Sequence, residues 1–140
     1  MKLKICAAAG VVGSFIVSLL GGWDSSLVTL FIFVATDYIT GLIVAGVFHN
    51  SSKSSTGALE SKAGFKGLIR KCMIFVFVLI CHRLDLEAGT DYFRNGVIIG
   101  FIVNEGISIL ENADAMGIKL PAIIKNALDI VKQKGERLNE

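Results

Sequence analysis

Apolar residues form long runs along this chain, and the lengths of two of them predict membrane-spanning helices. A helix needs about 20 predominantly apolar residues to cross a hydrocarbon core about 30 Å thick, because each residue advances the chain by about 1.5 Å. The run from Ile5 to Trp23 contains no charged residue, and the run from Ser25 to Phe48 contains only Asp37. Both predict transmembrane helices, with a turn at Gly21–Gly22 between them.

Two further runs have charged residues near their ends. A third span, Leu68–Leu84, and a fourth, Tyr92–Leu110, each require long basic side chains to extend from the span towards an interface. The side chains concerned are Arg70, Lys71, Arg83 and Arg94. The pattern therefore predicts four transmembrane helices.

The carboxyl-terminal segment has a different pattern. After Pro121, apolar residues recur at helical spacing, and Gly135 is the predicted end of this helix. These residues are Leu120, Ile123, Ile124, Ala127, Leu128 and Val131. The prediction is an amphipathic helix that lies on the inner leaflet or packs on the bundle. The fold class is thus all-α: an integral membrane bundle of four transmembrane helices and a C-terminal amphipathic helix.

Composition and charge place this bundle in the membrane. Apolar residues make up 53% of the chain and the mean hydropathy is +0.65, which is unusual for a soluble domain. Of the 14 Lys and Arg residues, all but Arg83 and Arg94 fall at the amino end, in segment 50–71 or in the tail. The positive-inside rule then places both termini and this loop in the cytoplasm. The predicted organisation is a transmembrane domain, 1–112, with a cytoplasmic loop, 50–71, and a cytoplasmic tail, 113–140.

Small residues recur along three of the predicted spans. In lipid, helices associate where small side chains let their backbones approach and polar groups bond across. The first span has Gly10, Ser14, Ser18 and Gly22; the fourth has Gly96, Gly100, Asn104 and Ser108; the second has Gly41 on the face of Asp37. These stripes indicate helix packing, either within one protomer or between protomers.

Two carboxylates, Asp37 and Glu105, lie deep in the apolar runs. Acidic side chains at this depth usually face protein or water, and Thr40, Asn104 and Ser108 are further polar candidates beside them. Two interpretations remain open: hydrogen-bonded or protonated structural carboxyls, or a relay for protons or ions.

Side chains for enzymatic or metal chemistry are sparse. His49 and His82 fall on opposite sides of the predicted membrane, and Cys6, Cys72 and Cys81 have no ligand spacing. We therefore expect no enzymatic activity, no cofactor, no metal and no nucleic-acid partner.

Three segments together resemble the phage-lysis and toxin-secretion holin family of Gram-positive bacteria and their phages. They are Asp37-Tyr38-Ile39-Thr40-Gly41; Gly57-Ala58-Leu59 with Ser61-Lys62-Ala63-Gly64-Phe65-Lys66-Gly67-Leu68; and Asn104-Glu105-Gly106-Ile107-Ser108-Ile109-Leu110-Glu111-Asn112, followed by Pro121 and a basic helix. The resemblance implies a protein that oligomerises in the bacterial cytoplasmic membrane and opens it for an endolysin, or in some cases a toxin, so that the host cell lyses. The implied partners are lipid, further copies of the chain, and an endolysin without necessary direct contact.

Two other functions remain compatible with the pattern. A small four-helix proton-coupled transporter also has carboxylates in its spans, although such proteins usually have less polar chain outside the membrane than the segment after Leu110. A structural anchor without conductance is the third possibility.

Overall fold

The structure, a computed structural model, describes residues 1–51, 56–57 and 60–138. These residues form five helices and no strand: α1 (Lys2–Leu19), α2 (Ser25–Gly46), α3 (Ser61–Ala88), α4 (Tyr92–Ala115) and α5 (Ala122–Leu138). By length and composition, α1, α2 and α4 can each cross a membrane. The predicted all-α membrane bundle is confirmed. The predicted loop 50–71, the Gly57-Ala58-Leu59 motif and the tail fall partly outside the described residues.

The third predicted span lies within α3, which is the longest helix at 28 residues. In the described chain, α3 is not among the helices that are apolar enough to cross a membrane. The reason is its charge: Lys71 and Arg83 leave only the stretch Cys72–His82 uncharged between them. That α3 crosses the membrane, as a fourth crossing besides α1, α2 and α4, therefore stays a prediction.

Local sequence explains where the helices begin and end. Asp24 caps the start of α2, because its carboxylate accepts a hydrogen bond from the Leu27 amide at 2.8 Å. The chain turns before it at Gly21, which has a φ of +89° and lies so close to Arg94 that a Cβ would come within 2.6 Å of its Nε. Gly89 ends α3 in the left-handed conformation that favours glycine.

The core lies between α2, α3 and α4. Its buried residues are Leu20, Leu27, Leu30, Val34, Ile74, Val78, Ile98 and Ile102. Helix α4 packs against α2 on one side, against α3 on another and against α5 on a third. None of the described residues of α1 is buried, so α1 lies outside this core.

Helix α5 packs along α4 in the antiparallel direction. Leu128 contacts α4 at Gly106, and Gly135 contacts it at Ile99. Moving forward along α5 from Leu128 to Gly135 thus corresponds to moving back along α4 by the same number of residues, from Gly106 to Ile99. The sequence left two placements open for this helix, on the inner leaflet or packed on the bundle, and in the structure it packs on the bundle. The prediction that Gly135 ends this helix is wrong, because α5 continues to Leu138. Gly135 is buried there, and a Cβ would come within 2.9 Å of Ile99 Cγ2, so glycine permits a close helix contact.

Candidate functional site

Helices α2, α3 and α4 meet at an ionic cluster centred on Lys71. The Lys71 ammonium donates to Asp37 Oδ2 at 2.5 Å and to Glu105 Oε2. Both carboxylates are buried, and the Lys71 side chain is only 16% exposed. One side chain of α3 thus binds the deepest acidic residue of each neighbouring helix. The sequence predicted that Lys71 extends to the interface. It instead turns inward, because two carboxylates lie within its reach.

Amide and hydroxyl groups complete the cluster. The Asn112 amide donates to Asp37 Oδ1 at 3.0 Å and to Thr40 Oγ1 at 2.8 Å, while the Thr40 hydroxyl donates to the Asp37 carbonyl at 3.1 Å. The Asn104 amide donates to Glu105 Oε1 at 3.4 Å. Four of the five predicted intramembrane polar residues therefore belong to this cluster: Asp37 with Thr40, and Glu105 with Asn104, the two pairs being joined through Lys71.

The fifth of these residues, Ser108, lines a cavity of about 310 Å³ beside Lys71 and Glu105. Arg70 and Glu111 line the same cavity, which lies between α3 and α4. A cavity of this size with several polar groups has room for water. The cluster is thus buried in protein on one side and bordered by a polar space on the other.

The free-energy cost of a charge in the bilayer explains why Lys71, Asp37 and Glu105 lie together. A charged side chain at the centre of a bilayer costs about 2.5–3.5 kcal/mol on insertion scales, and pairing within the protein reduces this cost. The cluster nevertheless has two carboxylates for one ammonium, so it carries a net negative charge when all three groups are ionised. Chemically, it can bind or release a proton and can hold three helices together.

Close approach of α3 to α2 brings Lys71 into place. The Tyr38 hydroxyl donates to the Gly64 carbonyl at 3.4 Å, and the Tyr38 ring lies 3.8 Å from where a Gly67 Cβ would be. A Cβ at either glycine would be at ordinary contact distance from Tyr38, so this approach of the two helices does not depend on glycine. The three segments that carry the family resemblance therefore converge on this cluster: 37–41 from α2, 61–68 from α3 and 104–112 from α4.

A second ionic cluster joins the opposite ends of the helices. Arg94 donates from Nη1 to Asp24 Oδ2 at 2.6 Å, and its guanidinium also bonds the carbonyls of Leu20 and Gly22. Asp85 of α3 accepts bonds from the Thr90 hydroxyl and from the first amides of α4. Arg94 lies at these helix ends but is buried there, so its guanidinium does not extend into solvent. It instead satisfies carbonyls that the turn after α1 leaves free.

The pKa of Asp24 is perturbed in this second cluster. Burial raises the pKa of its carboxyl, but hydrogen bonds from Arg94 and from the Leu27 amide, together with the charge of Arg94, lower it more. The net result is a pKa below the ordinary value of 3.8.

The predicted helix-packing residues have different environments. On α1, Ser14 and Ser18 are exposed. A Cβ added to Gly10, to Gly22 or to Gly100 of α4 would meet no atom within 4 Å. Gly41 and Gly96 are half-buried. The stripe on α1 thus makes no close contact within the described protomer, and its packing role stays a prediction.

Two members of the Lys71 cluster were not predicted as site residues. Lys71 was counted as an interfacial residue, although acidic groups in spans usually pair with a base. Asn112 lies two helical turns after Glu105 on the same face, which is the signal that would have identified it. Among the described residues, no group of three or more His, Cys, Asp and Glu side chains has the arrangement to hold a metal ion.

Known proteins are similar to this sequence over most of its length. The sequence model of the bacteriophage holin family matches residues 14–133. An uncharacterised protein of Clostridium perfringens is 37% identical over 93% of this chain and 93% of its own length, and one of Listeria monocytogenes is 40% identical over 83% and 78%. A probable holin of Bacillus phage phi105 is 31% identical over 74% of this chain and 72% of its own length. No solved structure matches the chain significantly. The chain therefore belongs to the bacteriophage holin family.

Proposed function

We propose that this chain acts as a holin: it oligomerises in the bacterial cytoplasmic membrane and opens pores or lesions that let an endolysin, or a toxin, leave the cell. The observation that carries the proposal is the family match across residues 14–133, which covers α2, α3 and α4 completely, the end of α1 and most of α5. The likeness to a probable phage holin supports it independently.

The apolar helices support a multi-pass membrane protein. In the proposed topology α1, α2, α3 and α4 all cross the membrane, with the amino terminus, the connection between α2 and α3 and the connection after α4 on the cytoplasmic side. The position of Arg94 and Asp24 supports this arrangement, because their cluster joins the helix ends that would face outward.

The exposure of α1 supports association between copies. Its apolar surface has no neighbour among the described residues along most of its length, and its small-residue stripe of Gly10, Ser14 and Ser18 is open. In an assembly this stripe allows another helix to approach closely. We propose that α1 is a contact between protomers.

Expression in a bacterial host together with a cytoplasmic peptidoglycan hydrolase tests the function. The chain should depolarise the membrane, release the hydrolase and cause a fall in optical density, whereas the hydrolase alone should not. Membrane potential, hydrolase escape and optical density are measured in the same culture. A chain that accumulates in the membrane with none of these effects contradicts the proposal.

The contact through α1 has its own test. Replacing Ser14 and Ser18 with Leu should hold neighbouring helices apart and delay or abolish lysis, because close packing and interhelical hydroxyl bonds of about 0.6 kcal/mol each are lost in every protomer. Crosslinked multimers should decrease while the membrane level stays unchanged. A matched control replaces Val12 and Ile16, exposed apolar residues on the opposite face of α1, with Leu. Wild-type crosslinking and lysis in the Ser14→Leu, Ser18→Leu variant would exclude α1 as the contact.

One observation favours a second candidate, a small proton-coupled transporter. The cavity beside Lys71 reaches Glu105, so a proton has a polar route to a buried carboxylate. Glu105→Gln separates the two functions, because it removes this titratable group at small structural cost. A holin should still lyse cells with this substitution, whereas a transporter should lose proton-coupled efflux of a small solute and should never release the hydrolase.

A further inference from the structure

Helix α5 presents an exposed charged face beside the apolar part of α4. The antiparallel contacts of Leu128 with Gly106 and of Gly135 with Ile99 fix the level of each helix against the other. By this register, α5 lies level with the apolar run of α4, from about Leu110 back to Gly96. Helix α5 has 17 residues and is therefore about 26 Å long, nearly the thickness of the hydrocarbon core.

The apolar face of α5 is turned towards the bundle. Val131 packs against the core, and Ile124, Ala127 and Leu128 line an apolar cavity of about 350 Å³ that α2 and α4 complete. The opposite side of α5 is exposed and mostly polar, although Ile123 and Ile130 are also exposed on it. Its polar side chains are Lys125, Asn126, Asp129, Lys132, Gln133, Glu136 and Arg137.

Lipid is not a suitable neighbour for this polar face. Each charged side chain would incur the cost of charge in hydrocarbon, and Lys125, Asp129, Lys132 and Glu136 follow one another along a single stripe over three helical turns. Snorkelling reaches the interface only from helix ends, and Asp129 and Lys132 lie in the middle of α5. The docked position of α5 is thus compatible with α4 as a membrane span only if water borders α5.

We propose that, in the assembled protein, α5 stays docked on α4 and its polar face lines the water-filled passage between copies of this chain. The inference rests on the proposed holin function and names the element that lines its opening. The tail is then in contact with the cytoplasm through the passage itself. Since this face has more basic than acidic side chains, the passage should favour anions slightly over cations.

A disulfide can hold α5 in this position. A Cβ on Gly135 would lie 3.8 Å from Ile99 Cβ, which is the spacing that disulfides require. The test uses the full chain with Cys6, Cys72 and Cys81 replaced by Ala, carrying Ile99→Cys and Gly135→Cys. A matched control pairs Ile99→Cys with Gln133→Cys, which lies on the opposite face of α5 and should not form the bond.

The locked protein is reconstituted in vesicles loaded with a small dye, with and without reductant. We expect the disulfide to form, dye release to persist in the locked state, and its rate to be similar after reduction. If the locked protein releases no dye and reduction restores release, α5 must leave α4 for activity and the inference is wrong. Failure of the disulfide to form, with a folded protein in the membrane, also overturns it.

A fluorophore tests the surroundings of α5 without depending on release. It is attached at Gln133→Cys in the cysteine-free chain and compared with one at Ile39→Cys, an exposed apolar position on α2. Aqueous iodide should quench Gln133→Cys severalfold more than Ile39→Cys, and nitroxide-labelled lipid should show the reverse order. Stronger quenching by nitroxide-labelled lipid at Gln133→Cys than at Ile39→Cys refutes the inference. If dye release is intact in that case, the proposed holin function is not contradicted. Iodide quenching with no dye release from any variant refutes the holin function and supports water at α5.

Discussion

The two ionic clusters of this bundle each have two carboxylates and one base, and they differ in how the carboxylates are satisfied. At the turn between α1 and α2, Arg94 is matched by Asp24 and by backbone carbonyls, while Asp85 is satisfied by the amides that begin α4. Beside the polar cavity, Lys71 faces both Asp37 and Glu105. The first cluster caps helix ends and holds one of its acids by amides and a hydroxyl, whereas in the second two buried carboxylates from different helices share a single ammonium. The difference indicates that the Arg94 cluster is structural and that the Lys71 cluster is sensitive to a single charge.

Loss of Lys71 should have the largest effect. Lys71→Met leaves two buried carboxylates without their base, and removing one partner of a buried ion pair costs about 3–5 kcal/mol. We expect a large fall in the unfolding temperature of the detergent-solubilised protein and a lower level in the membrane. Lys66→Met, an exposed position on the same helix, is the control.

A second substitution sharpens this prediction. Adding Glu105→Gln to Lys71→Met should restore part of the lost stability, since it removes one of the two unpaired negative charges. Equal stability of Lys71→Met and Lys66→Met would show that the cluster does not hold the helices together.

The two carboxylates should not respond equally to neutralisation. Both oxygens of Asp37 accept bonds, from Lys71 and from Asn112, so an Asn side chain would turn its own NH₂ group towards one of these donors. Asp37→Asn should therefore destabilise the protein by about 1–3 kcal/mol. Glu105→Gln should cost less, because Glu105 Oε1 accepts only a long bond from Asn104 and the other oxygen still faces Lys71. Unfolding in detergent measures both, and the reverse order would contradict the assignment of bonds.

Acidification should weaken the Arg94 cluster only slightly. The pKa of Asp24 is lower in the folded protein than its ordinary value of 3.8, so the pair contributes stability above that value and loses it as the pH falls through the folded pKa. Because Asp24 is partly exposed, the contribution should be below about 1 kcal/mol. The measurement is the unfolding temperature between pH 7 and pH 3 for wild type and Asp24→Asn, and their difference should shrink at low pH. A constant difference would mean that the Asp24 charge contributes nothing.

The helices of this protein follow from local patterns in its sequence. The apolar runs predicted α1, α2 and α4, and the spacing after Pro121 predicted α5. Such features depend on neighbouring residues in the chain and on the length needed to cross a bilayer. The depth of Asp37 and Glu105, and their need for partners, followed from the same runs.

The partners themselves were decided only by the tertiary structure. Whether Lys71 extends to the interface or turns inward depends on how closely α3 approaches α2 and α4, and on where Asp37 and Glu105 then lie. Gly135 has the local character of a helix end, yet it lies inside α5 because a contact with Ile99 outweighs its poor helix propensity. The sequence by itself thus determined which segments are helical and which polar groups lie deep in them. Which base neutralises which acid, and where α5 docks, depended on contacts between residues far apart in the chain, whose energies no local pattern contains.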